Sequence, residues 1–362
     1  MKRAALKAQA KGADEPLARL SALVAAFSKV KIAVVGDLVV DEYVYGRTQR
    51  VSREAPVLIV RHDADELRPG AAANAAANCA ALGARTQVLG LVGDDAMGKA
   101  LVRLLRARGV RPAGIARVAG RVTARKTRVL AGDLHTTRQQ VLRVDREGGG
   151  RAERGTEAKL RVALELALLD AHALLLSDYG DGVFHPELVE EAVRFAGRGG
   201  VVCADSRHNI SDYRGVPWVT PNEPEAMAAL GIDIESDDDA RAAGPRLLRL
   251  TRGEGVLLTR GARGLALFSK GAPAELVPPF GGVEVADVTG AGDTVAAVFT
   301  LALAAGASPL EAAVLANVGG GLVVAKRGTA TLTQAELIAA LPALPADALT
   351  VAAALPRKGP RA

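Results

Sequence analysis

Aromatic side chains make up only 3% of this 362-residue chain, with one Trp, four Tyr and six Phe. Platforms for stacking nucleobases need more than that. The formal net charge of +6 comes without a dense basic run, so nucleic acid is not an expected partner, whereas anionic small molecules are. Cysteine is scarcer still. Cys79 and Cys203 lie far apart in apolar surroundings, which predicts buried reduced thiols rather than a disulfide or metal centre and suits a cytoplasmic setting. No apolar run is long enough to span a bilayer, and a membrane is not an expected partner. The opening stretch MKRAALKAQAKGADEPLARLSALVAAF is interrupted by Asp14 and Glu15, so no signal peptide is expected, and residues 16–28 read as an amphipathic helix. What is present, 49% hydrophobic and 24% charged residues, is ordinary for a globular protein of one large α/β domain or two smaller ones.

The stretch that organises the rest is Val285 to Thr300, VADVTGAGDTVAAVFT. It reads as a strand, a turn of small residues at Gly290-Ala291-Gly292, and a helix with Asp293 at its mouth. The first N–H groups of a helix lack intrahelical partners and carry the positive end of the dipole, so such a mouth holds anions. Small residues let a ligand approach the backbone. A carboxylate there would repel phosphate unless it has a task. Accepting the proton of a hydroxyl that attacks a phosphoryl group is one such task, with the loop amides stabilising the developing charge. The alternative is that Asp293 caps the helix and the glycines only turn the chain.

Elsewhere the chain alternates strands and helices. KIAVVG reads as a central parallel strand ending at Asp37, with Asp41 four residues on, and carboxylates at such strand ends lie where open α/β sheets bind ligands. Residues 42–68 read as strands projecting from the main sheet. Gly70-Ala71-Ala72-Ala73-Asn74 opens a helix whose small entrance admits a sugar-sized ligand that Asn74 could hydrogen-bond, or else simply packs. Gly93 to Lys99 has the spacing of a phosphate-binding GxxxxGK loop, but Ala100 stands where Ser or Thr is needed and Asp94 and Asp95 oppose phosphate, so residues 95–109 read as a surface helix. Strand character returns at 115–146. Its cations Arg125, Lys126, Arg128, Arg138 and Arg143, with Arg50 or Arg53, are either a clamp for a second phosphate or a solvated face. Asp178 ends another buried strand, ALLLSD. VVCAD and VPWVT read as strands and GVLLTRGARGLALF as a hairpin. Asn222 and Glu225, three apart at a helix start, form a capping box or hold magnesium through water. Helix 309–326 carries Asn317, and KRGTAT closes the core.

In order, GDLVVDEY, GAAANAAANCAALG, VGDDAMG, SDY, NEPE, TRGARG and DVTGAGDT resemble the ribokinase-like (PfkB) carbohydrate kinases across residues 31 to about 340. The complete DVTGAGDT is the most specific of these. Within the family, RVSREAPVLIV, QQVLRVDRE, SDYGDG and GTAT are most similar to the heptose 7-phosphate kinases. The resemblance implies an α/β fold, a ribokinase-like three-layer α/β/α sandwich with a mostly parallel central sheet and a small β lid, and often a homodimer through the lids. It divides the chain into an N-terminal helical extension (1–30), a kinase domain (31–340, lid strands about 42–68 and 115–146) and a C-terminal tail (341–362). It implies ATP and Mg2+ as cofactors, a sugar phosphate as partner, and transfer to the anomeric hydroxyl of a heptose 7-phosphate. Asp293 would be the base and Gly290, Ala291 and Gly292 the anion hole. Asp37, Asp41, Gly70 and Asn74 would lie at the sugar, to which Arg128, Arg143 and Asp178 are added as candidates. Asn222, Glu223, Glu225, Thr259, Gly261, Gly264 and Asn317 would surround the nucleotide, with Mg2+ reached by Glu225 through water. A monovalent cation such as K+ would sit near Asp287 and Thr289.

There are departures. Gly70-Ala71 replaces the usual Gly-Gly, a slight narrowing at the sugar. Ser206-Arg207 stands where heptose kinases have Pro-Lys, so the resemblance does not extend to a nucleotide contact there. Only the kinase step of bifunctional relatives is expected. A kinase for another sugar, such as ribose or fructose 6-phosphate, and a non-catalytic sugar or nucleotide sensor remain alternatives. Arg128 and Arg143 discriminate: turned outward, they argue against a phosphorylated substrate.

Overall fold

In the computed structural model, residues 15–132, 138–281 and 286–345 are described. The apolar run Lys31–Gly36 forms strand β1, buried on both faces. Ile32 and Val34 enter one core and Ala33 and Val35 the other, so the strand must be covered by helices on both sides. It lies inside a nine-stranded sheet with β4 (Arg85–Gly93), β5 (Arg111–Val118), β8 (Ala173–Asp178), β9 (Val201–Ser206), β10 (Trp218–Val219), β11 (Gly255–Thr259), β12 (Leu265–Ser269) and β13 (Glu275–Val277). The order is β13-β12-β11-β10-β9-β8-β1-β4-β5, and β12 alone runs against the others, antiparallel to both β11 and β13. The chain runs from β1 to β4 on one side and later to β8 on the other. Strand order therefore reverses at β1, and the crevice at the carboxyl ends of β1 and β8 is where such sheets bind ligands.

One helical layer contains α1 (15–26), α2 (Ala72–Ala81), α3 (Ala96–Ala107), α8 (Ala291–Ala304), α9 (Pro309–Val324) and α10 (Gln334–Ala340); the other contains α4 (Arg154–Leu168), α5 (Pro186–Gly197), α6 (Glu223–Leu230) and α7 (Asp237–Thr251). Among the described residues no helix is long and apolar enough to cross a membrane. A separate four-stranded sheet, β3 (Leu58–Ala71), β2 (Leu38–Val51), β6 (Arg125–Gly132) and β7 (Gln139–Arg146), forms the lid. Its β2 leaves β1 directly after Asp37 and its β3 runs straight into α2, so the lid strands issue from the crevice.

Several sequence expectations change. Residues 115–118 belong to β5 of the main sheet, so the second lid segment is β6 and β7 alone. Of the expected N-terminal helical extension, residues 15–30 pack onto the domain, with Leu20, Leu23, Val24 and Phe27 buried in the core, and residues 1–14 lie outside the described residues. VPWVT pairs over two residues only. Helix α7, with Gly244 and Pro245 breaking its pattern, has no expectation behind it. The strand expected before the anion-binding loop is irregular at 286–288, and Val285 lies outside the described residues, as does most of the 341–362 tail.

Candidate active site

Gly290 is the N-cap of helix α8, and its φ of 80° is left-handed, so a glycine is favoured there. The N–H of Ala291 turns back to the Val288 carbonyl and that of Thr294 reaches Gly290. Among the described residues the N–H groups of Gly292 and Asp293 have no acceptor, and Gly292 is exposed. The mouth of the helix is thus open with its donors unspent. Asp293, the third residue of the helix, is 2% exposed and is not the cap. Its Oδ2 accepts from Asn74 Nδ2 at 2.7 Å and its Oδ1 from the Tyr179 hydroxyl at 2.7 Å. Burial pushes its carboxyl up to about 6, against those two hydrogen bonds and the charge of Arg207.

Asn74 is set by α2, which brings Asn78 one turn on to donate to Asn74 Oδ1 at 3.2 Å. Asp41 lies beside Gly70, where any Cβ would fall 2.5 Å from its carboxylate. It is paired with Arg128, which points inward and is 7% exposed. Arg143 instead donates to Asp145 at 2.7 Å on an exposed face, so the two expected phosphate cations do not act together. The side chain of Arg50 lies outside the described residues.

Two strand-end carboxylates are spent on the fold. Asp37 is fully buried and accepts from the N–H groups of Tyr179, Asp181 and Val183 at 2.7 to 3.2 Å, which pins the loop after β8. Asp178 accepts from Gly180 N–H, Ser206 and Tyr213. Asp37, fully buried, has no exposed oxygen to meet a sugar, whereas Asp178 is half-buried. The GxxxxGK stretch is likewise closed, because Asp95 takes the Gly98 N–H at 2.7 Å and the Thr123 hydroxyl.

On the nucleotide side, Asn222 and Glu225 form the capping box of α6. Thr259 pairs with Pro221 and bridges Asn222, which brings the β11–β12 turn to the start of α6. Within the turn Gly261 and Gly264 have φ of 54° and 78°. Glu223, expected at the nucleotide, is held by Arg260 and Arg263 at 2.9 and 2.8 Å. Asn317 donates to the Pro278 carbonyl at 2.7 Å. Asp287 accepts from the N–H groups of Thr289 and Gly328, each at 2.9 Å; these hydrogen bonds hold its carboxyl low despite burial.

The structure also brings in residues the sequence reading missed. Tyr179 is one; Arg207, whose guanidinium lies 4.2 Å from the Tyr179 ring centroid, is another. Asp205 is a third. It ends β9 with a bond from the Thr220 hydroxyl at 3.1 Å, and burial, then the charges of Asp293 and Glu225, push its carboxyl up to about 8. No sequence spacing links these residues, because the sheet assembles them from different strand ends.

A family model described as pfkB family carbohydrate kinase matches residues 29–336. The chain belongs to this family. The Bifunctional protein HldE of Geobacter sulfurreducens is 40% identical over 319 residues, covering 86% of this chain and 63% of that protein. The one from Halorhodospira halophila is 44% identical over 326 residues, covering 89% and 65%. The chain spans a little under two thirds of these relatives. Among solved structures, Arabidopsis thaliana ribokinase complexed with ribose and ATP matches with TM-score 0.67 at 21% identity, over 86% of this chain and 98% of that one. Escherichia coli phosphofructokinase-2 in complex with potassium matches with TM-score 0.70 at 20% identity, over 87% and 99%. Both establish the ribokinase-like fold, and family membership makes the protein an ATP-dependent carbohydrate kinase.

A kinase of this family needs a divalent cation, and the residues present fit one. Asp205 and Glu225 repel each other, and both are raised by burial. Among the described residues no group of three or more metal-binding side chains forms a cage. One or two carboxylates completed by phosphate oxygens and water is how Mg2+ is usually held.

Proposed function

We propose that this kinase transfers the terminal phosphoryl group of ATP to the anomeric hydroxyl of a heptose 7-phosphate, with Asp293 as base. The observation that carries the reading is the state of Asp293: buried beside the open α8 mouth, oriented by two donors, and tuned to about 6 so that it is ionised yet basic at neutral pH. Asp293 takes the hydroxyl proton as the sugar oxygen bonds to the γ-phosphorus in line and the bond to the β-phosphate oxygen breaks, leaving ADP. The N–H groups of Gly292 and Asp293 stabilise the charge that builds on the transferred group. Asp205 and Glu225 would hold a divalent cation such as Mg2+, which when bound would neutralise charge on the phosphates. A monovalent cation such as K+ at Asp287 and Thr289 belongs to the same reading, as does a homodimer in the cytoplasm. The exposed Val141, Leu142 and Val144 of the lid fit a partner lid.

The heptose phosphate is supported by the lid sequences and by relatives at about 40% identity. The inward Arg128 beside Asp41 adds a cation at the sugar end of the crevice. A second reading, a kinase for another sugar such as ribose, draws on Arg143, which is turned to Asp145 and leaves any phosphate clamp smaller than expected. A coupled assay of ATP consumption over heptose 7-phosphate, fructose 6-phosphate, ribose and unphosphorylated heptose tests both. The heptose phosphate should give the highest kcat/KM; a higher value for another sugar replaces it. No turnover with any sugar would favour the non-catalytic sensor.

A further inference from the structure

Tyr179 has no assigned part in the chemistry above, yet its backbone, hydroxyl and ring are each engaged at the site. Its N–H donates to Asp37 at 2.7 Å, and its hydroxyl donates to Asp293 at 2.7 Å. Its ring carries two cations from two different sheets: Arg207, just after β9, at 4.2 Å from the centroid, and Lys126 of lid strand β6 at 5.3 Å. Other cations of the region are committed to carboxylates, Arg128 to Asp41, Arg125 to Glu42, Arg143 to Asp145 and Arg121 to Asp181. Among the described residues neither Arg207 nor Lys126 has a carboxylate in ion-pair contact; both spend their charge over the tyrosine.

We propose that Tyr179 is the positioning residue of the base: its hydroxyl fixes Oδ1 of Asp293, and the cations clasping its ring couple that oxygen to the lid and to the end of β9. Each carboxylate oxygen has two acceptor sites. With Asn74 on one oxygen and Tyr179 on the other, the carboxylate plane is locked and a second site on each remains to accept the substrate proton. Tyr179 stays a neutral donor, since burial and the neighbouring Asp293 raise its own pKa well above the usual value. Besides Asn74 and Tyr179, the groups whose charge bears on Asp293 are Arg207, which favours ionisation, and Asp41 and Asp205, which oppose it. Loss of the hydroxyl therefore removes orientation and disfavours the carboxylate, while the ring and its cations can stay.

The inference rests on Asp293 being the base of the proposed reaction, and its test has an arm that needs no substrate. With tyrosine labelled by 13C at Cζ, the chain gives four signals. The signal absent from Tyr179→Phe should titrate with a midpoint near pH 6 in the wild type and lose that step in Asp293→Asn. A Tyr179 signal that is flat from pH 4 to 8, or unchanged by Asp293→Asn, overturns the contact even if the protein is a kinase. In the second arm, Tyr179→Phe should move the acid limb of kcat/KM up by about one pH unit, as loss of one hydrogen bond to a charged group implies. It should also lower kcat at pH 8.5 about 10-fold with little change in KM for ATP. Lys126→Met should move the same limb in the same direction by less. An unmoved limb in Tyr179→Phe with wild-type kcat overturns the positioning role while leaving the kinase intact; absent turnover in the wild type refutes the proposed reaction, and the role with it, whatever the spectrum shows.

Discussion

Gly290 and Asn74 meet at the mouth of α8: a Cβ on Gly290 would fall 2.6 Å from the Asn74 amide nitrogen that donates to Asp293. The same glycine has φ of 80°. Its lack of a side chain thus serves two ends, the turn into the helix and room for the donor that orients the base. Gly290→Ala should cost about 1–2 kcal/mol of stability through backbone strain. By displacing Asn74 it should also lower kcat about 100-fold. Urea denaturation and steady-state kinetics measure the two effects separately.

Arg128 and Asp41 form a buried pair between lid and crevice. Removing one partner leaves the other charge uncompensated, so Arg128→Ala should destabilise the protein by about 3–5 kcal/mol. Burial raises the pKa of Asp41 even with Arg128 present, so its loss should favour protonation further. If Arg128 also faces the substrate phosphate, KM should rise more for heptose 7-phosphate than for unphosphorylated heptose. Equal changes for both sugars would confine Arg128 to a structural role.

The raised carboxyls give a signed pH dependence. Burial raises the Asp293 carboxyl to about 6 in the folded protein, above its ordinary value of 3.8, so the folded state holds its proton longer than the unfolded chain does. Its contribution to stability is therefore lost as pH rises from about 4 to about 6 and stays lost above. Replacing it with an amide should raise Tm at pH 8 by a few degrees and give a smaller gain at pH 4.5. The Asn74 and Tyr179 contacts can persist in that variant, because the new amide can accept from Asn74 and donate to the tyrosine oxygen. Differential scanning calorimetry at the two pH values checks the sign.

Asp205 and Glu225 should govern the divalent cation. Asp205→Asn and Glu225→Gln should each raise the Mg2+ concentration for half-maximal activity by at least 10-fold, with the KM for sugar little changed. EDTA should abolish turnover reversibly. A variant with unchanged Mg2+ dependence removes that residue from the cation site.

Much of this was readable from the residues in order. β1 announced itself as an unbroken apolar run, and the Gly290–Asp293 stretch as a loop that opens a helix, because both patterns are local. Carboxylates at strand ends were less informative. Asp37 and Asp41 look alike in sequence, yet one binds three backbone N–H groups and the other faces Arg128. Which way each points depends on whether the following loop needs an anchor. Tyr179 was illegible for another reason: its partner is 114 residues away and is brought to it by the packing of α8 against β8. The 115–118 strand shares the alternation of the lid strands, and only its pairing with β4 assigns it to the main sheet.

The most direct test is turnover by Asp293→Asn together with its ATP affinity. Loss of a general base lowers the rate by about 10² to 10⁴. Asp293→Asn should fall by that factor in kcat for the best sugar while binding ATP within a few-fold of the wild type. Turnover near the wild-type rate in a correctly folded Asp293→Asn would contradict the assignment of this carboxylate as the group that deprotonates the sugar.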